Sequence, residues 1–169
     1  FAYYKPRGII THSPGKGEKS IADIFENKGI FPVGRLDKDS EGLIILTDDG
    51  RAVKKLLSPE CEREKEYIVK VKTPLNSRFI KIIRGGVNIE GYLTKKCRAD
   101  KIGDFTFKII LTEGKKHQIR RMCAALGYTV AGLKRTRVMN IRLENLKPGQ
   151  SREIKGEELE TFLRELGLK

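Results

Sequence analysis

"GRLDKDSEGLIILTDDG", residues 34–50, sets an arginine, two alternating carboxylates and a lysine just ahead of a run that is apolar on both faces, then closes on an acidic turn. A strand without polar alternation is covered on both sides, so "GLIILT" predicts a strand central to a sheet. Asp48, Asp49 and Gly50 supply a turn into "RAVKKLL", a short helix with Ala52, Val53, Leu56 and Leu57 inward. Ahead of the loop, "IFPVG" reads as a second strand. Asp37 therefore sits on a tight loop at the edge of a buried sheet, where scaffolded catalytic groups usually lie.

Working outward, "FAYYKPRGIITHS" opens with a β-like run broken at Pro6 and Gly8, and residues 12–19, rich in Gly, Pro and Ser, read as a mobile loop. Ser20 reads as an N-cap with Asp23 three residues on, starting a short helix that ends near Gly29. "KEYIVKVK" alternates, with Tyr67, Val69 and Val71 on one face and Glu66, Lys70 and Lys72 on the other. Thr73 and Pro74 start a helix carrying Leu75, Phe79, Ile82 and Ile83 as far as Gly85. Strands are expected over 87–93 and 105–112, a basic helix over 116–126, and strands over 128–130 and 137–143. Leu159, Phe162, Leu163 and Leu166 fall on one face of a last helix. Strands and helices mix without a regular βαβ repeat, as in an α+β domain.

The 169 residues carry 35 Lys and Arg against 22 Asp and Glu, a net charge of +13, spread through patterned sequence with no basic tail. A polyanionic partner follows, nucleic acid first, with a merely soluble basic protein as the alternative. Membrane-surface binding is disfavoured, because the basic residues do not gather on one amphipathic helix. Cys61, Cys97 and Cys123 are an odd number, lie far apart and form no C-x-x-C pair, which argues against a disulfide framework or zinc site and for a reducing cytoplasm. No apolar run reaches the length of a membrane span.

On the basic helix, Ile119, Met122, Cys123 and Leu126 make an apolar face, His117 and Arg121 point away, and Arg120 lies on the boundary. A half-buried arginine needs a partner, and Asp37 is the candidate. A carboxylate held ionised in apolar surroundings suits a nucleophile or a general base; an ordinary loop salt bridge fits the same residues. Asp39 with Asp37 is the minimum of a Mg²⁺ site, but Arg35 and Lys38 crowd the loop and no third acid has a matching spacing, so a turn hydrogen bond is expected of it. Arg35 reads as a phosphate contact or as a side chain entering a nucleic-acid stack. Tyr67 is either a core tyrosine or the ring against which a reacting base packs. His117 reads as a backbone or phosphate contact and His12 as loop surface.

Taken together, "KPRGIITHS", "GRLDKDSEGLIILTDDG", "KEYIVKV", "EGKKHQIRRM" and "LKRTRVMNIRLENLKPGQSREI" resemble, in content and spacing, the RsuA, RluB, RluE and RluF family of pseudouridine synthases, over nearly the whole chain. The resemblance implies an α+β catalytic domain over residues 1–169, with a bent, largely antiparallel mixed sheet flanked by helices and a central cleft; no S4-type domain is visible ahead of "KPRG". It implies isomerisation of uridine to pseudouridine in structured RNA without cofactor or metal. Asp37 matches the family's essential aspartate, Arg120 the basic residue paired with it, Tyr67 the tyrosine that packs on the target base, Arg35 the residue that guards the vacated stack, and Ile119 a wall of the uracil pocket. Gly34, Leu36 and Gly42 match shaping residues, and Lys5 and Pro6 a buttress of the loop. His117, Arg121 and Lys38 are expected on the RNA.

"TKKCRA" with "GYTVAGLKRTRVMNI" looks most like the RluF and RluB subgroup, which implies large-subunit (23S) ribosomal RNA as substrate and a cytoplasmic monomer. The alternatives are an RNA-binding module without activity, a small-subunit or tRNA pseudouridine synthase, and a metal-dependent nuclease built on Asp37 and Asp39.

Overall fold

The computed structural model describes residues 1–25 and 29–169. Its strands are β1 (Ala2–Lys5), β2 (Phe31–Val33), β3 (Glu41–Thr47), β4 (Lys65–Val71), β5 (Asn88–Ile89), β6 (Tyr92–Leu93), β7 (Arg98–Gly103), β8 (Thr106–Leu111), β9 (Val130–Val138), β10 (Ile141–Arg142) and β11 (Ser151–Arg152). The helices are α1 (Gly50–Leu57), α2 (Phe79–Gly85), α3 (Gln118–Ala125) and α4 (Gly156–Leu166). Nine strands form one mixed sheet in the order β11-β1-β3-β9-β4-β8-β7, with β2 against β3 and β10 against β9, while β5 and β6 make a separate hairpin. The fold is the α+β architecture expected.

β3 is covered on both faces, as its unbroken apolar run requires. Leu43 and Ile45 enter a core with α1 and α4 residues such as Leu56 and Phe162, and Ile44 and Leu46 enter another with Tyr3 and Ile21. A further core lies on β4, β8 and β9, where Val69, Phe107, Ile109 and Leu133 meet Phe79 and Ile83 of α2 and Met122 and Cys123 of α3. The two halves of the sheet join through a short parallel register between β3 and β9, Glu41 against Lys134 and Gly42 against Arg135. Among the described residues every other pairing between these strands is antiparallel, and an isolated parallel bridge joins Ile10 to Ser20.

That junction requires glycine. Gly42 has φ +109°, and a Cβ there would lie 2.2 Å from the Arg135 carbonyl oxygen and 2.7 Å from its nitrogen. Only a residue without a side chain allows the strands this close.

The structure departs from expectation at several elements. Residues 130–138, where only 128–130 and 137–143 were expected as strands, form one long strand, because "AGLKRT" looks like a loop until its pairing with β4 supplies the ladder. β7 was not anticipated in the polar run "RADKIG". The helix expected from Thr73 starts at Phe79, where the Asn76 side chain accepts from the Arg78 and Phe79 amides and ends the preceding loop. The Ser20 segment is a single 3₁₀ turn, Ile21–Asp23, closed by a capping box; the rest of that expected helix reaches residues 26–28, outside the described residues. Leu57, expected inward, is 47% exposed.

The junction predicts a sharp intolerance. Gly42→Ala should lower the midpoint of thermal unfolding by at least about 5 °C, through strained φ and the clash with Arg135. Circular dichroism melts check this, and Gly8→Ala, whose added Cβ meets nothing within 4 Å, serves as the comparison for positive φ alone.

Candidate active site

The loop between β2 and β3 is held from below by the N-terminal segment. Thr11, 3% exposed, uses its hydroxyl both to donate to the Leu36 carbonyl at 2.8 Å and to accept from the Leu36 amide at 3.1 Å. The Gly8 amide donates to the Lys38 carbonyl at 2.7 Å. The Lys5 ammonium, fully buried, donates to the carbonyls of Pro6 and Ile9 at 2.9 and 2.7 Å. Lys5 thus folds its own turn into a buttress under the loop.

From above, the buried Arg135 guanidinium grips both flanks of the loop. Its Nε donates to the Leu43 carbonyl at 2.7 Å and its Nη1 to the Arg35 carbonyl at 3.4 Å. Arg135 is 4% exposed, and among the described residues no carboxylate lies within ion-pair reach of it. A charge buried on neutral acceptors alone is expensive, and such arrangements concentrate where a site needs them. Sequence reasoning missed Arg135, because "AGLKRT" carries no alternation of its own and its strand is set by pairing with β4.

Desolvation depresses two lysines that also feel this guanidinium, Lys5 and Lys65. Burial pushes Lys5 down to about 8, against the opposing pull of Asp37, with Arg135 adding to the depression. Burial, reinforced by Arg135, also pushes Lys65 down to about 8.

Above the loop opens a cleft of about 830 Å³ whose walls include Asp37, Arg35, Tyr67, Ile119, His117 and Arg135. Asp37 is about one-third exposed, and its Oδ1 lies 3.4 Å from Nε2 of His117. His117 holds a left-handed conformation, φ 52°, at the start of α3; for a residue with a side chain this costs about 1 kcal/mol. The strain is held by Gln118, 4% exposed, whose Oε1 accepts from the Lys115 amide at 2.9 Å while Nε2 donates to Glu113 at 2.6 Å. Glu113 in turn accepts from the Tyr92 hydroxyl at 2.5 Å and the Lys95 amide at 2.9 Å. The "EGKKHQ" turn is thereby fastened to the β5–β6 hairpin.

Four expected residues therefore share the cleft with Asp37: Tyr67, Arg35, Ile119 and His117. Three are placed otherwise. Arg120 does not pair with the Asp37 carboxylate; its Nη2 donates to the Asp39 carbonyl at 3.0 Å and the Ser40 hydroxyl at 3.4 Å, so it grips the loop two and three residues beyond Asp37. Among the described residues it is His117 that lies within ion-pair distance of the carboxylate, and the pair is ionic only when the imidazole is protonated. Arg121, expected to face solvent or ligand, is drawn to Glu90 at 2.7 Å and the Ile89 carbonyl at 3.3 Å, because the β5–β6 hairpin covers that face of α3. Lys38 pairs with Glu18 of the 12–19 loop at 2.8 Å, and it does not border the cleft. Asp39 is exposed, and its backbone carbonyl, not its side chain, serves the turn. Among the described residues no group of three or more His, Cys, Asp or Glu is placed to hold a metal ion, and no helix is long and apolar enough to cross a membrane.

Comparison with known proteins gives this arrangement its context. Residues 1–125 match the family model described as RNA pseudouridylate synthase, and the chain belongs to that family. It is 44% identical over 159 residues to the dual-specificity RNA pseudouridine synthase RluF of Salmonella typhi, an alignment that covers 94% of this chain and 55% of the relative. It is 34% identical to ribosomal large subunit pseudouridine synthase B of Bacillus subtilis, covering 91% of this chain and 67% of that one. The chain thus spans about half the length of the RluF relatives it matches. A solved pseudouridylate synthase superposes with a TM-score of 0.88 at 30% identity, covering 95% of this chain and 72% of that chain. An archaeal box H/ACA Nop10–Cbf5 complex shares the fold at a TM-score of 0.56 and 19% identity, covering 83% of this chain and 48% of that chain.

The depressed lysines can be titrated directly. With the ordinary value at 10.5, the unfolded chain binds more protons than the folded one between pH 8 and 10.5, so these two groups stabilise the fold as pH rises through that window. Burial pushes the Cys97 and Cys123 thiols up, to about 11 and 12, which acts in the opposite sense over much of the same range. A pH-dependent melt therefore mixes both. NMR of lysine ε-methylene groups separates them: two signals should titrate near pH 8, one lost in Lys5→Arg and the other in Lys65→Arg. Midpoints above 10 for both would contradict the burial of their ammonium groups.

Proposed function

We propose that the chain isomerises uridine to pseudouridine in ribosomal RNA of the large subunit, with Asp37 as the reacting carboxylate. The observation that carries this reading is the placement of Asp37 on a doubly braced loop, in a cleft shared with Tyr67 and Ile119, in a chain of the pseudouridylate synthase family. The 44% identity to a dual-specificity enzyme and the 34% identity to a large-subunit enzyme support ribosomal RNA as substrate.

In the reaction the C1′–N1 bond of the uridine breaks, a C1′–C5 bond forms, the proton leaves C5 and N1 gains one. Atoms and electrons balance without an external oxidant, reductant or water, so the residues need only hold, rotate and protonate the base. The target nucleotide leaves its stack at a cost of a few kcal/mol. Tyr67 receives the base on its ring and Ile119 walls the uracil. Arg35, exposed at the rim, supports the vacated stack.

Asp37 acts at the ribose, as nucleophile at C1′ or base at C2′, and His117 at 3.4 Å keeps the carboxylate aimed. Arg120 acts through the loop: by holding the Asp39 carbonyl and Ser40 hydroxyl it fixes the turn that presents Asp37. No cofactor is required. The enzyme works as a cytoplasmic monomer, and its Cys61, Cys97 and Cys123, all unpaired, fit a reducing compartment.

Incubation with unmodified large-subunit ribosomal RNA, followed by chemical mapping of pseudouridine, should reveal product at discrete uridines. Asp37→Asn should reduce turnover at least about 1000-fold, the order expected when a reacting group is lost, while RNA affinity stays within about threefold of the parent. Turnover preserved in Asp37→Asn would overturn the assignment.

A further inference from the structure

Among the described residues, two cations that border the cleft lack a counter-charge. Along "CEREKEY", residues 61–67, side chains alternate between two sides. Glu62 is committed to Lys95 at 2.6 Å, Glu64 to Arg98 and, at 3.0 Å, to Arg137, and Glu66 to the Thr136 hydroxyl at 2.8 Å. Arg63, Lys65 and Tyr67 all border the cleft instead. Every acid of this segment is thereby taken by another partner.

Among the described residues, Arg63 Nε is buried without any hydrogen-bond acceptor, and no carboxylate lies within ion-pair reach of Arg63 or Lys65. Lys65 Nζ has one acceptor, the Arg63 carbonyl at 3.0 Å, leaving two of its three donors unused. Lys95 and Lys115 border the same cleft, Lys115 standing 4.5 Å from the centre of the Tyr92 ring. A desolvated donor left unpaired on a charged group costs more than a neutral one, and an incoming anion recovers that cost.

We propose that Arg63 and Lys65 form a phosphodiester-binding subsite that grips the RNA backbone beside the nucleotide seated on Tyr67. Lys65 and Tyr67 are two residues apart on one strand face, about 7 Å along β4, so a base packed on Tyr67 brings a flanking linkage within reach of the ammonium. The planar guanidinium and the compact ammonium present donors from two directions, which suits a tetrahedral phosphate with several acceptor oxygens. The depressed proton affinity of Lys65 agrees with a site incomplete without its anion. Arg63 also borders a second hollow with Glu64 and Arg137, whereas Lys65 borders the cleft alone, so Lys65 is the residue to test.

This subsite rests on the reading of the cleft as the RNA site, and the test separates the two because it reads binding rather than turnover. The probe is a stem-loop RNA with one bulged uridine, made with ordinary phosphates or with a single neutral methylphosphonate at each linkage flanking that uridine. Lys65→Met should weaken binding of the ordinary RNA about tenfold, as loss of one charged hydrogen bond does. One methylphosphonate should weaken binding by the parent protein to a similar extent, and the variant should lose nothing further on that RNA. Equal losses by parent and variant at every linkage, or no loss in the variant, overturn the subsite.

A second measurement uses the unaltered protein and holds even where Lys65→Met fails to fold. The Lys65 ε-methylene titration should move to higher pH on addition of the ordinary stem-loop, and stay in place with the methylphosphonate that weakens binding. Movement with both RNAs, or with neither, contradicts the proposal.

Discussion

The structure depends on one close approach, that of Gly42 to the backbone of Arg135. β3 and β9 meet in a short parallel register there, and this contact links the sheet half covered by α1 and α4 to the half covered by α2 and α3. The same residue that receives Gly42 then turns its guanidinium back to the carbonyls of Leu43 and Arg35. Backbone proximity and side-chain grip thus act on one loop from one position. The loop that carries Asp37 is clamped by Arg135, Thr11, Gly8 and Arg120 rather than by its own short turn.

The charges around the cleft explain why a fold accepts their cost. Arg135 is buried against neutral carbonyls, Lys5 is buried under the loop, and Arg63 and Lys65 lack acids although glutamates alternate with them. Each is an expense in an isolated protein. Arg63, Lys65 and Arg135 border the cleft and Lys5 lies under its loop, so part of the net charge of +13 gathers around Asp37.

Most of this was legible in the sequence where a single strand or helix carried the signal. The two-sided apolar run of β3, the alternation of β4 and the apolar face of α3 each lie within one element and could be read from it, whereas a cleft common to Asp37, Tyr67 and Ile119 was implied by the family resemblance alone. What failed were inferences about pairs. Arg120 lies where helix periodicity put it, half-buried, yet a carbonyl and a hydroxyl satisfy it instead of the Asp37 carboxylate, because nothing in helix geometry says which atom of a facing loop comes nearest. Arg121 points away from the core as expected and meets a hairpin whose position no local pattern encodes. Arg135 stayed hidden because "AGLKRT" has no alternation of its own, and its strand exists only through its partners.

The grip of Arg135 on the Leu43 and Arg35 carbonyls holds the Asp37 loop in place. Amide hydrogen exchange of residues 36–47 in Arg135→Leu, compared with the parent at the same distance below each protein's unfolding midpoint, tests it most directly. The account predicts faster exchange at Leu36 and Ser40, whose amides donate to Thr11 and to the Asp37 carbonyl, with the β1-paired amides of β3 still protected. Unchanged exchange at Leu36 and Ser40 would contradict it.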